Sequence, residues 1–487
     1  MASKHPVILT VVLLLLVVLA AAAETVPSRG CRPMPSARSV TRSLPTLRRS
    51  GVGTTYIGVR HQLVVLVSFN DQQFSEDNPM DVWNRIFNEE NFHESPFYGS
   101  VHDYFHAQSG GLFSPVFDLH YVALVEGHAK YRSTRDDDEN SQFLVQDIVD
   151  ELLTRSVDWS LYDWDNDGYI NQLLIVYAGK GSSYGGFGGD SNAIWPHQYC
   201  LSWHTDPATG SPCSPRSVSY GGKEYKVDSY CAVQELTDRN DYGTFGTICH
   251  EYTHCLGFPD FYGTSDSPRK WDLMDYGNNN LDGFCPPNYS AHERWLMGWL
   301  SPTELTTGQT VGNMDTSQAY LIRNDGYSDE YYIVENRQQT GWDQSLPGSG
   351  VVVFHIDYDE SVWRGTSSEY ANTSRKKRYV IIPANNQSSY RNSDGWAYPY
   401  LTNDSLTNYS SPAATLNNAN TDGSKLMNKS LRDIRVENGL ASFRFTVDTK
   451  TGITELPASR QSQILYDLGP IYIIRYANGD IKKVMKR

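Results

Sequence analysis

The spacing of apolar residues changes several times along the chain, and each change marks an element. Residues 63–67 (LVVLV) form an unbroken apolar run before the turn pair Asn70-Asp71. That pattern predicts a strand buried on both faces. Leu144, Ile148 and Leu152 recur every four positions with Val145, Val149 and Leu153 beside them, which predicts a helix over 141–155. Residues 169–177 (YINQLLIVY) read as a second buried strand, and 247–256 as a short helix stopped by Gly257 and Pro259. Strand, helix, strand, helix in this order predicts an α/β domain from about 56 to 300, and a mixed sheet is expected over 61–300.

Beyond 300 the pattern becomes strand-like. Residues 331–334, 351–354, 380–382 and 443–445 are short β-branched or aromatic runs, with Asn- and Ser-rich loops between 385 and 425. A β-rich region over 301–447 is expected. In the last stretch, 448–487, Ala477-Asn478-Gly479-Asp480 separates two apolar runs, which predicts a hairpin.

Composition narrows the function. The chain has 487 residues, a net charge of -15 and 20% charged residues. This acidic balance argues against nucleic acid as a partner, because phosphate binding needs positive surface. Only residues 7–23 are apolar enough to enter a membrane. Lys4 and His5 precede them and Ala21-Ala22-Ala23 ends them, the pattern of a secretory signal peptide over 1–23. The other reading is an uncleaved anchor. After cleavage no membrane span is expected, which points to a secreted, extracellular protein, with cell-surface association open.

Residues 24–60 carry seven arginines against Glu24 and are interrupted by prolines, so they build no core of their own. They read as a basic pro-segment or a solvated linker. Export permits disulfides. Cys200 and Cys213 bracket a Pro/Gly/Ser loop and are the best single pair among the seven cysteines. Cys31 stands apart in the basic segment, where its thiolate could cap a metal in a precursor.

The decisive stretch is His250-Glu251-Tyr252-Thr253-His254-Cys255-Leu256-Gly257-Phe258-Pro259-Asp260. Residues four apart share a helix face, so His250 and His254 can point at one ion. Glu251, beside His250, can reach a water on that ion, the HExxH arrangement of zinc hydrolases. Zinc lowers the pKa of its bound water from about 16 to near 7, and the glutamate takes the proton. Gly257 lets the chain leave the helix with positive φ and swing Asp260 back as third ligand. Glu293, on a later predicted helix, is the rival third ligand. Trp271-Asp272-Leu273-Met274-Asp275-Tyr276-Gly277 resembles the Met-turn beneath the metal in metzincins. Tyr276 is then either an oxyanion stabiliser or a packed tyrosine. Cys249 and Cys255 point off the metal face, since one helical step is about 100°. His197 either lines the cleft or is structural.

A second cluster is local. Asp163, Asp165 and Asp167 precede Gly168, the first half of an EF-hand loop, and the Tyr169 carbonyl and Asn171 could complete a Ca2+ site. Leu174 stands where an EF-hand has its bidentate Glu, so the alternative is an exposed acidic turn.

Together these segments resemble the M6 metallopeptidase (immune inhibitor A-like) family. The likeness runs from about 60 to 445. Beyond the metal site it includes GSVHDYF at 99–105, IWPH at 194–197, PPNYSAHERWLMGW at 286–299 and PGSG at 347–350 leading to FHID at 354–357. One departure is Gly263, where relatives often carry an acid. The resemblance implies an α/β zincin, metzincin-like fold with an active-site helix. It also implies a secreted zinc endopeptidase made as a precursor, with protein or peptide substrates. His250 and His254 would be zinc ligands and Glu251 the base. The tail resembles a sorting module of type IX secretion, shortened before Gly469-Pro470, so secretion machinery is a possible partner. The reading from a different class is a catalytically silent binding or adhesion protein on a peptidase fold.

Overall fold

The computed structural model describes residues 56–132, 140–183, 190, 192–364, 370–448 and three strands between 463 and 485. The predicted signal peptide, most of the basic segment and Cys31 lie outside the described residues. Among the described residues no helix is long and apolar enough to cross a membrane. The chain forms two compact units that it visits alternately. One holds the residues up to 302 together with 338–349 and 358–381. The other holds 303–337, 350–357 and 382 onward.

The first unit is built on a five-stranded sheet. Its strands are β1 (Gly58–Ser68), β2 (Phe113–Ala123), β3 (Leu173–Lys180), β4 (His197–Cys200) and β7 (Ser229–Leu236), in the order β2-β1-β3-β7-β4. β1 is parallel to β2 and β3, β3 is parallel to β7, and β4 runs antiparallel along the edge of β7. β5 (Arg216–Tyr220) and β6 (Lys223–Val227) form a separate hairpin.

Leu63 through Val67 are all fully buried, as an unbroken apolar run requires when both faces are covered. On one face Leu63, Val65, Leu173, Ile175 and Tyr230 pack with Leu144, Val145, Ile148 and Leu152 of α3 (Ser141–Leu153). The alternate residues point to the opposite face. There Cys231 of β7 meets Cys255 of α4 (Phe245–Cys255). α1 (Pro79–Asn88), α2 (Val101–Gln108) and α5 (Ala291–Leu296) complete the layer set.

Three expectations need correction. The boundary at 60 cuts into β1: strand pairing begins at Gly58, and the Tyr56 carbonyl accepts from Trp299 Nε1 at 2.9 Å. The strand expected over 169–177 begins only at Leu173, because Ile170 N donates to the Lys226 carbonyl of the β6 hairpin strand and Asn171 N to the Tyr162 carbonyl, outside the five-stranded sheet. No disulfide joins Cys200 and Cys213, although both are buried. The loop between them is closed by backbone instead: Cys213 N donates to His204 O at 2.9 Å, and Asp206 N to Ser211 O at 2.8 Å.

The second unit is made largely of strands and is not a single block over 301–447. One sheet has the order β12-β11-β10-β8, from β8 (Thr303–Glu304), β10 (Ala319–Asn324), β11 (Tyr327–Arg337) and β12 (Gly350–Asp357). A second has the order β14-β15-β9, from β9 (Gln309–Met314), β14 (Lys429–Glu437) and β15 (Leu440–Val447). Ile322, Tyr332, Val334, Val351 and Val353 share one core with Leu431, Phe443 and Phe445.

Segments 338–349 and 358–381, the latter ending in β13 (Tyr379–Ile381), return to the first unit because their aromatic rings pack there. Trp342 meets Tyr98 and Tyr104, and Tyr379 meets Phe261. In the tail, β16 (Gln463–Asp467), β17 (Ile471–Arg475) and β18 (Ile481–Met485) form a small antiparallel sheet whose β17–β18 pair is the expected hairpin.

Candidate active site

α4 is buried along almost its whole length, and it carries three ionisable groups into the interior. His250, Glu251 and His254 are 1%, 0% and 4% exposed. Such burial is costly unless each group finds a partner. For the histidines it does. His250 Nδ1 lies 2.8 Å from the carbonyl of Leu273, and His254 Nδ1 lies 2.7 Å from that of Phe258. A carbonyl only accepts, so each neutral imidazole carries its proton on Nδ1 and turns the Nε2 lone pair inward.

Helix α4 ends at Cys255, and Gly257 follows at φ 108°, a conformation that favours glycine. The turn it permits brings Asp260 back. Its Oδ1 sits 3.2 Å from His250 Nε2 and 3.2 Å from His254 Nε2. Among the described residues His250, His254 and Asp260 are one of two groups whose ligand atoms could share a metal ion, and all three are buried. His250 Nε2 and Asp260 Oδ1 are buried and lack a well-formed hydrogen bond. Ligands about 2.0–2.1 Å from a tetrahedral Zn2+ lie about 3.3 Å apart, so this triangle fits the ion.

The electrostatics agree. Burial alone would push the His254 imidazolium down, but the Asp260 carboxylate and then Glu251 outweigh it and raise it to about 9. Burial likewise opposes the Asp260 anion, yet the two imidazoles hold its carboxyl below the usual range. The point between these atoms favours positive charge.

Glu293 is engaged elsewhere. It closes a capping box at the start of α5, where its Oε2 accepts from Ser290 N at 2.6 Å. Cys249 and Cys255 lie outside the cluster as buried thiols. Tyr276 opens a 3-10 stretch, with the Arg269 guanidinium 4.8 Å above its ring. His197 is held by Trp195 O and by Tyr230 Oη on the edge strand.

The turn 271–277 supports the cluster from below. Met274 is fully buried, and Asp272 Oδ1 accepts from Met274 N at 2.8 Å, which fixes the Leu273 carbonyl under His250. Neither this role of Asp272 nor the two carbonyls could be read from the sequence, since a main-chain acceptor leaves no residue signature.

Residues 59–295 match the model of the immune inhibitor A peptidase M6 catalytic domain. Two curated relatives agree. Immune inhibitor A of Bacillus thuringiensis subsp. alesti is 24% identical over 277 residues, 48% of this chain and 38% of the relative. The pre-pro-metalloprotease PrtV of Vibrio cholerae serotype O1 is 26% identical over 337 residues, 60% of this chain and 33% of the relative. The chain therefore spans only about a third to two fifths of the length of these relatives. The M6 match supports a peptidase, and the M6 segment contains the whole His250–His254–Asp260 cluster.

The second candidate metal group is Asp163, Asp165 and Asp167. Asp163 is buried, and its Oδ2 accepts from Gly168 N at 3.2 Å and from the Lys223 ammonium at 3.0 Å. Asp165 and Asp167 are exposed. Asn171 Oδ1 accepts from Trp164 N at 2.7 Å, and Asp167 Oδ1 from Tyr169 N at 2.7 Å. The lysine already offsets part of the charge that a cation would balance.

Proposed function

We propose that the chain is a secreted zinc-dependent metalloendopeptidase that hydrolyses peptide bonds in proteins. The observation that carries this reading is the buried triangle of His250 Nε2, His254 Nε2 and Asp260 Oδ1 beside Glu251, with edges to Asp260 of 3.2 Å. Bound there, Zn2+ would supply Lewis acidity toward a water and toward the scissile carbonyl.

The protein's own groups do the rest. The Leu273 and Phe258 carbonyls keep both imidazoles in the ligand tautomer. Glu251 takes a proton from the attacking water and returns it to the departing amine, so no net proton is consumed at the carboxylate. Tyr276 is assigned to the oxyanion that forms when water adds to the carbonyl. Ca2+ at Asp163, Asp165, Asp167, Tyr169 and Asn171 is assigned a structural role, supported by Asp163 Oδ1, which is buried without a partner. Residues 1–23 direct export, and the tail engages the secretion machinery.

Casein hydrolysis by the purified chain tests the proposal, measured with and without a zinc chelator and beside Glu251→Ala. Activity should vanish on chelation and return with zinc. Glu251→Ala should bind metal yet lose about 10²–10⁴-fold in rate. Chelator-resistant hydrolysis, or an active Glu251→Ala, would overturn it.

A further inference from the structure

The family match ends at residue 295, but the unit that holds the cluster does not. It also contains residues 358–381, and these reach the surroundings of two of the three candidate ligands. We infer that the turn from Asn372 to Tyr379 is a positioning element for the metal site. It would fix Asp260 through Phe261, and His250 through Asp272 and the Leu273 carbonyl. The inference rests on the zinc reading above.

Asn372 is 2% exposed and spends its whole amide on this task. Its Nδ2 donates to Phe261 O at 2.6 Å and to Tyr379 O at 2.7 Å. Its Oδ1 accepts from Arg378 N at 3.1 Å and from Tyr379 N at 3.0 Å. One amide thus closes the turn and ties it to the residue after Asp260. Phe261 is held on two further sides. Its N donates to Met274 O at 2.8 Å, and its ring stacks on Tyr379 with centroids 3.9 Å apart. Because the Phe258 carbonyl is hydrogen-bonded to His254, the chain is anchored two residues before Asp260 and one residue after it.

Tyr379 completes the second route. Its hydroxyl donates to Asp272 Oδ2 at 2.8 Å, and Ser290 Oγ lies 2.6 Å from Tyr379 Oη. Asp272 uses its other oxygen on Met274 N, which sets the Leu273 carbonyl that His250 needs. Asp272 and Tyr379 are both fully buried. Without the phenol, a buried carboxylate oxygen would lose a donor, and the turn beneath His250 would have to adjust.

Gly263 carries an independent mark of the same contact. It sits at φ 131°, and a Cβ there would lie 2.7 Å from the Asn372 carbonyl. The missing Cβ at Gly263 is what lets the turn approach. Lys377 and Asp266 add an ion pair between the same two segments.

Outer partners of metal ligands usually change metal affinity about 10–100-fold when removed. The test is zinc affinity of the purified full chain, measured by competition with a chromophoric chelator, with the Co2+ visible spectrum as a second readout. Tyr379→Phe, which removes one oxygen, and Asn372→Ala should each weaken zinc about 10–100-fold and alter the Co2+ spectrum.

Two controls separate the possibilities. Tyr131→Phe removes another buried phenol–carboxylate bond, Tyr131 Oη to Asp147 at 2.9 Å, away from the cluster. It should lower the melting temperature and leave zinc affinity unchanged. His250→Ala should abolish tight zinc binding. If His250→Ala binds zinc like the wild type, the metal-site reading fails and this inference with it. If His250→Ala loses zinc but Tyr379→Phe keeps wild-type affinity and spectrum, only the positioning role fails. Equal weakening by Tyr131→Phe would also overturn it. Should Asn372→Ala not fold, Tyr379→Phe decides alone.

Discussion

The first unit contains two pairs of buried or half-buried histidines, and they have opposite characters. His250 and His254 stand one helical turn apart and converge on a carboxylate, Asp260. His197 and His204 converge on a phenol: their Nε2 atoms lie 3.1 and 2.7 Å from Tyr230 Oη. Ser141 Oγ joins that second cluster at 2.9 Å. The central group decides the outcome. With an acid between the rings, His254 is raised to about 9 in spite of burial. With a phenol there, burial and then the neighbouring His197 depress His204 to about 3. Converging imidazoles alone do not favour positive charge; the anion at their focus does.

The largest expected effect comes from removing that anion. Asp260→Ala should weaken zinc by more than the ~100-fold typical of an outer-shell loss and abolish casein hydrolysis. His197→Ala should leave zinc stoichiometry at the wild-type value. Equal zinc loss in both variants, read by chelator competition, would break the comparison.

Acid should separate the pairs by a smaller amount. The folded pKa of His204 lies below its unfolded value of 6.5, so above that pH it contributes nothing to the pH dependence. As pH falls below 6.5 the unfolded chain takes up a proton that the folded chain refuses. Stability therefore drops progressively towards pH 3. At pH 5 the loss is about 2 kcal/mol. Urea midpoints from pH 7 to 5, beside His204→Gln, test this. The variant should lose that part of the slope, and parallel curves would refute the assignment.

The smallest effect concerns the acidic loop, where Lys223 already meets Asp163. Mild calcium chelation should lower the melting temperature by about 2–4 °C, the shift expected for ~1 kcal/mol. An unchanged melting temperature would leave the loop an acidic turn. Replacing Lys223 by Met should make stability more dependent on calcium, read as a larger chelator-induced shift.

What could be read from the sequence was local along it. The four-residue spacing of His250 and His254, and the glycine offset that returns Asp260, act within eleven residues, so backbone geometry alone brings them together. The same holds for the apolar run of β1 and the helical period of α3. Contacts made at long range left no such trace. Nothing in residues 370–381 announces that Tyr379 lies against Phe261, and nothing around Glu293 announces that its carboxylate caps α5 at Ser290. The Cys200–Cys213 pairing failed for a related reason. Bracketing one loop does not make two cysteines a pair, and main-chain hydrogen bonds from Cys213 to His204 and from Asp206 to Ser211 hold that loop instead.

The alternation of the chain between its two units has a consequence for biosynthesis. Domains form as their residues leave the ribosome, N-terminal parts first. Here the first unit is not complete until Ile381 has emerged, after β8 to β12 of the second unit have been made. A nascent chain exposes the HExxH helix early but lacks the Asn372–Tyr379 turn for many codons more. A chain cut short before Ile381 would keep His250, Glu251, His254 and Asp260 and still lack part of the unit that holds them.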